Sequence, residues 1–167
     1  MSSSKLFDIY LLTGSNLGDK LNFLNSASDI LDSYFQQKAT KSRIYQSDAW
    51  GFETDSFFLN QVLKYNTNFS PIEVLDKIQC IENQLGRVRN ENSYESRTID
   101  IDILLYGNEI FDTNTLVIPH PSLHLRKFTL LPLNELTSNL IHPVLHQSIR
   151  QILQECKDVG NCFALNK

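Results

Sequence analysis

No part of this sequence is apolar for long enough to cross a membrane, and the brief apolar run after Met1-Ser-Ser-Ser-Lys5 is too short for the core of a signal peptide. The three cysteines, Cys80, Cys156 and Cys162, are odd in number and show no CxxC spacing. Neither a disulfide framework nor a cysteine-based zinc site is indicated, and a reducing, cytoplasmic setting is the simplest expectation. Internal repeats, low-complexity linkers and the GxxxxGK[ST] and GxGxxG phosphate-loop spacings are also missing. Nor is there an excess of positive charge: a formal charge of −4 gives no broad attraction for nucleic acid.

What is present fits one globular domain spanning 1–167, with a core from about 6 to 153. The chain has 167 residues, 41% hydrophobic and 20% charged, enough to bury a core without staples. Basic residues gather locally at Arg87, Arg89, Arg97, Arg126 and Lys127. A local patch of that kind suits a small polyanion better than a nucleic-acid backbone.

Residues Leu6 to Leu12 read as a strand running into the turn-rich Thr13-Gly-Ser-Asn-Leu-Gly18, read on its own as an ordinary tight turn. Asp19 is a candidate N-cap for a helix ending near Phe35, with Leu21, Leu24, Ala27 and Leu31 at helical spacing. Strands are expected at Arg43 to Ser47 and Phe57 to Tyr65, separated by a loop that carries Trp50 and Phe52. Those aromatics either fold back onto the core or cover a flat ligand. Ser70-Pro-Ile-Glu73 is a capping box, and Gly86 closes the helix it opens. Its buried stripe is read as Ile72, Leu75, Ile78 and Leu85, with Glu82 projecting into it. A carboxylate there needs either an arginine or a polar ligand.

The segment Arg97-Thr-Ile-Asp-Ile-Asp-Ile-Leu-Leu-Tyr-Gly107 has the two-residue period of a strand, yet carries two aspartates. Ile99, Ile101, Ile103 and Leu105 fall on one side, and Asp100 and Asp102 share the other with Thr98, Leu104 and Tyr106. At about 3.3 Å per residue the two aspartate Cα atoms lie about 6.6 Å apart, close enough to require a positive partner. Hard carboxylate oxygens suit Mg²⁺, which completes its shell with water and phosphate oxygens, and such a pair can serve a two-metal site. A DxD pair alone is also found in nucleotide-sugar enzymes or on a solvated sheet face. Arg87, Arg89 and Arg97 bracket it in sequence and offer the planar forks that phosphate prefers, beyond what neutralising Asp100, Asp102 and Glu82 requires. His120, between prolines, reads as a structural histidine.

Downstream, Glu109 to Phe111 and Leu116 to Ile118 are expected to form a small hairpin. Pro119, Pro121, Pro132 and Pro143 are expected to divide the chain beyond it into short elements, and Ser148 to Cys156 to form a last helix. Lys157 to Lys167 shows little pattern. The order strand, helix, strand, strand, helix, strand is that of a split βαβ sheet, hence an α+β, ferredoxin-like sandwich with helices on one face of an antiparallel sheet.

The stretches LLTGSNLGDK, FFLNQV, IENQLGRVR, RTIDIDILLYG and IPHPSLHLRKFTLLPLNEL together resemble the 6-hydroxymethyl-7,8-dihydropterin pyrophosphokinases of folate biosynthesis, from Tyr10 to about Leu153. The resemblance implies the same ferredoxin-like fold and transfer of pyrophosphate from MgATP to the pterin hydroxymethyl group, releasing AMP, by a monomer. It implies that Asp100 and Asp102 hold two Mg²⁺ ions and that Arg87 and Arg97 offset charge on the transferred group. Gln79, Glu82, Arg89, Ile103, His120 and Arg126 match positions on the ATP side. Phe58 and Phe128 match the rings that sandwich the pterin, Asn60 the amide at its polar edge, and Ser47, Asp48 and Trp50 a loop lining its pocket. Loops Asp48 to Asp55 and Arg89 to Ser96 would close over bound substrates. Phe58 replaces a tyrosine of some members, and Tyr94-Glu95-Ser96 stands where many have Trp-Gly-Pro, implying a less rigid lid. Thr115, Val117 and Ser122 replace polar or basic residues of some members. A nucleotide-sugar transferase and a non-catalytic binding module are the competing expectations.

Overall fold

The computed structural model describes residues 5–87 and 96–166. Its elements in chain order are β1 (Phe7–Ser15), α1 (Lys20–Phe35), β2 (Thr40–Lys41), β3 (Tyr45–Ser47), β4 (Phe58–Thr67), α2 (Pro71–Gln84), β5 (Asp100–Tyr106), β6 (Phe111–Asp112), β7 (Val117–Ile118), α3 (Lys127–Thr137), α4 (Ile149–Glu155) and β8 (Cys162–Ala164). The main sheet runs β5-β1-β4-β3-β8, with the short β2 also on β4. Each pairing is antiparallel. The order β5-β1-β4-β3 is that of the ferredoxin-like sandwich, as expected; β6 and β7 form the expected small hairpin.

β1 lies inside the sheet between β5 and β4, and its apolar run is continuous because both faces are covered. Ile9 and Leu11 pack with Leu24, Leu31, Val74, Ile78 and Ile81 from α1 and α2. Tyr10 and Leu12 pack with Leu130, Leu133, Ile149 and Ile152 from α3 and α4. Helices therefore cover both faces rather than one. The expectation missed α3, where Pro132 is buried inside the helix instead of ending it.

α1 starts where Asp19 accepts the Asn22 N–H at 3.1 Å and ends after Phe35, as the spacing predicts. The capping box of α2 is formed, with Ser70 N–H on Glu73 Oε2 at 2.7 Å and Glu73 N–H on Ser70 Oγ at 3.3 Å. Its buried stripe differs from the expected one: Val74, Ile78, Ile81 and Glu82 are buried, while Ile72 is exposed. At about 100° per residue Ile72 points about 160° away from Val74, so one face cannot bury both.

The register of β1 on β5 shifts between Tyr10 and Leu11, whose partners are Leu105 and Ile103. The extra residue is Leu104, and such a bulge reverses the alternation beyond it. Ile99, Ile101 and Ile103 face α1 and α2 as the period predicts, but Leu105 joins Leu104 under α3, and Tyr106 joins the isoleucines. The tail also departs from expectation, since residues read as patternless supply β8 at the sheet edge.

Candidate active site

The mouth of β5, the start of β4, the loop after β3 and the start of α3 enclose a cavity of about 370 Å³. Arg87, Arg97, Asp100, Asp102, His120 and Arg126 line its polar part. Ser47, Asp48, Trp50, Phe58, Asn60 and Phe128 line the remainder, so polar and aromatic candidates drawn from across the sequence meet in one space.

Asp100 is held by two arginines. Arg87 Nη1 donates to its Oδ1 at 2.6 Å and Arg97 Nη1 to its Oδ2 at 2.7 Å. The same Arg87 nitrogen is paired with Glu82, which is buried in the stripe of α2 and accepts the Ile101 N–H at 2.9 Å. Glu82 thus has its arginine, and through Ile101 it fixes the strand between the two aspartates. Asp102 instead faces His120, with Oδ2 3.7 Å from Nε2. Burial, and then the Asp100 carboxylate, push the Asp102 carboxyl up to about 7. A cation placed between the pair relieves that repulsion, so the donor chemistry fits a hard divalent ion. Among the described residues no cluster of three or more metal-donor side chains occurs.

His120 receives the Ser122 N–H on Nδ1 at 3.1 Å, which leaves its own proton on Nε2, toward Asp102. Burial, reinforced by Arg126, pulls the imidazole down to about 4, so the ring is neutral near pH 7. The Arg126 guanidinium lies 4.4 Å from the centre of the Trp50 ring and 5.7 Å from that of Phe128, within range of both π faces. Phe52 meets Phe58 edge-on with ring centres 6.1 Å apart and also lines the cavity. The loop aromatics Trp50 and Phe52 therefore wall the site rather than folding back onto the core.

Asn60 is 2% exposed and donates its Nδ2 to Ser47 Oγ at 2.9 Å. Gly14 of β1 is paired with Asn60, and a Cβ there would sit 3.1 Å from Asn60 Oδ1. Both Gly14 and Asn16 belong to the segment read as an ordinary turn, but β1 runs on through Thr13 and Gly14 to Ser15, paired with β4. Asn16 is 1% exposed, accepts the Arg97 N–H on Oδ1 at 2.7 Å and donates Nδ2 to Ser96 Oγ at 2.9 Å. Its carbonyl accepts from Ser56 Oγ at 2.6 Å. Polar atoms in the Gly14-Ser15-Asn16 stretch were the available signal, but its composition reads equally well as a turn.

Not every candidate lines the cavity. Gln79 is exposed on α2, Glu82 lies beneath Arg87, and Ile103 is in the core because strand alternation turns it away from Asp102. Arg89, Tyr94 and Glu95 lie outside the described residues.

A family model for 7,8-dihydro-6-hydroxymethylpterin-pyrophosphokinase matches residues 10–138. A 2-amino-4-hydroxy-6-hydroxymethyldihydropteridine pyrophosphokinase from Aquifex aeolicus is 40% identical over 147 residues, 88% of this chain and 91% of its own length. The protein of the same name from Haemophilus influenzae is 37% identical over 150 residues, 89% of this chain and 92% of its own. A crystal structure of Plasmodium falciparum HPPK-DHPS with pteroate has the same fold, with TM-score 0.68 at 16% identity. It covers 93% of this chain, which spans only 43% of that longer one. Fold and site together define a ferredoxin-like sandwich with a carboxylate pair beside an aromatic-walled cavity. The chain belongs to the 7,8-dihydro-6-hydroxymethylpterin-pyrophosphokinase family.

Proposed function

We propose that this cavity brings MgATP and 6-hydroxymethyl-7,8-dihydropterin together for transfer of pyrophosphate to the pterin hydroxymethyl oxygen. The chain is an ATP-dependent pyrophosphokinase of folate biosynthesis, supported by its family and its named relatives. The carrying observation is one cavity holding both Asp100 and Asp102 with their arginines and the aromatic residues Trp50, Phe58 and Phe128.

In the proposed reaction the hydroxymethyl oxygen attacks the β-phosphorus in line. The new O–P bond forms as the bond between that phosphorus and the bridging oxygen to the α-phosphate breaks; AMP departs and the hydroxyl proton is released to solvent. Asp100 and Asp102 would hold two Mg²⁺ ions, which supply charge neutralisation at the phosphates. Arg87 and Arg97 shift from Asp100 toward the transferred group, and Arg126, Arg89 and His120 belong to the nucleotide side; Gln79, Glu82 and Ile103, outside the cavity lining, back that side from α2 and β5. Phe58 and Phe128 give apolar faces to the flat heterocycle; Asn60, held by Ser47, presents a directional amide to its edge. Asp48 and Trp50 close that side. Positioning and electrostatic stabilisation supply the rate enhancement without a dedicated general base.

The protein works as a monomer in the cytoplasm in this reading. Among the described residues no helix is long and apolar enough to cross a membrane. Calorimetry tests the substrate class: hydroxymethyldihydropterin should bind saturably with a non-hydrolysable MgATP analogue present, and Phe128→Ala should weaken it. Binding of sugar nucleotides in place of pterin would overturn the proposal.

A further inference from the structure

The last residues form a strap across the outside of the cavity, beyond the family match at 10–138. α3 begins without a capping side chain of its own, since its N-cap is Arg126 in extended conformation. Asp158 supplies the missing acceptor from a distance: its Oδ2 takes the Lys127 N–H at 2.9 Å. A carboxylate at that place also meets the positive end of the helix. Its Oδ1 accepts the Gly160 N–H at 2.9 Å, and Lys127 Nζ reaches the Gly160 carbonyl at 3.4 Å.

Three residues further on, the strap grips the opposite wall. Asn161 donates both its backbone N–H and its Nδ2 to Asp48 Oδ2 at 3.0 Å, and its carbonyl accepts the Asp48 N–H at 3.1 Å. β8 then continues the attachment by pairing with β3, Cys162 opposite Ser47. Lys127 lies between Arg126 and Phe128, and Asp48 lies between Ser47 and Trp50 in the other wall. Neither Asp158 nor Asn161 lines the cavity itself.

We propose that Asp158 and Asn161 are positioning residues that set the separation of the α3 wall from the Ser47–Trp50 wall, and thereby tune affinity for the flat heterocycle. The inference rests on the pterin reading of this cavity. A slot for a ring has one productive width, and this turn is tied to both sides of it. The nucleotide phosphates are expected at β5, to which the strap makes no hydrogen bond, so the strap reaches the nucleotide only through Arg126 at the start of α3 and pterin affinity should fall the more.

The test measures pterin and nucleotide affinities separately for the full chain and its Asp158→Ala, Asp158→Asn and Asn161→Ala variants. Pterin binding should weaken about five- to tenfold in Asp158→Ala, the scale of one lost cap, and by less in Asn161→Ala, which keeps its backbone bonds to Asp48, with affinity for a non-hydrolysable MgATP analogue within about twofold of the parent. Asp158→Asn should restore pterin binding in part, because its one amide oxygen can keep the Lys127 cap while its NH2 cannot accept from Gly160. The role is overturned if both alanine variants bind pterin like the parent. It is equally overturned if pterin and nucleotide weaken together, the mark of a strap that only stabilises the fold. No pterin binding by the parent itself would overturn the functional reading, and the proposed ligand with it.

Discussion

Glu82 accepts the backbone N–H of Ile101 at 2.9 Å while paired with Arg87, so one buried carboxylate joins α2 to the strand between Asp100 and Asp102. Removing it leaves a buried N–H without its acceptor and an arginine without one of its acids. Glu82→Ala should destabilise the protein by about 3 kcal/mol in urea unfolding. Glu82→Gln, which keeps an oxygen for Ile101, should lose less. Equal stability of Glu82→Ala and the parent would refute this account of the buried acid.

Gly14 of β1 lies against Asn60 of β4, where an added side chain would be tight. Gly14→Ala places a methyl 3.1 Å from Asn60 Oδ1, so the amide must give by a few tenths of an ångström. KM for the pterin should rise about tenfold, the cost of misplacing one directional hydrogen bond, with KM for ATP little changed. An unchanged pterin KM would separate Asn60 from substrate recognition.

His142 gives a pH dependence of stability distant from the carboxylate pair. It is 4% exposed, and Nδ1 accepts the N–H groups of Val144 and Leu145 at 3.2 and 3.1 Å. Burial first, then His124 and His146, lower its pKa from 6.5 to about 4. Between those values the unfolded chain binds more protons, so His142's contribution is fully present above pH 6.5 and is lost as pH falls toward 4. Urea unfolding from about pH 7.5 to 4 should show a loss that is smaller in His142→Gln; identical slopes would contradict it.

Much of the fold was legible because local chemistry agreed with tertiary packing. Asp19, the Ser70 capping box and the period of Ile99, Ile101 and Ile103 each specify an element and also fit the core. Elsewhere the determining interaction is remote. Pro132 suggested a break, yet burial of Leu130 and Leu133 carries α3 through it. β8 has no alternation of its own and depends on pairing with β3. The bulge at Leu104 is a property of two strands in register, so no period within β5 could reveal it. In the site, charge and aromatic type marked most of the wall, whereas Gly14 and Asn16 act through close backbone approach and hydrogen bonds that composition does not display.

Asp100 and Asp102 should be indispensable to turnover but not to folding. Alanine at either should lower kcat at least about 1,000-fold and abolish its Mg²⁺ dependence, given the scale of metal-assisted charge stabilisation. Circular dichroism should be unchanged, since both side chains face the cavity. Retained activity would remove the proposed metal ligands.

The most direct measurement incubates the purified chain with MgATP and 6-hydroxymethyl-7,8-dihydropterin and identifies both products. AMP and the pterin diphosphate should appear in equal amounts; ADP with a monophosphorylated pterin, or no turnover at all, would contradict pyrophosphoryl transfer at this site.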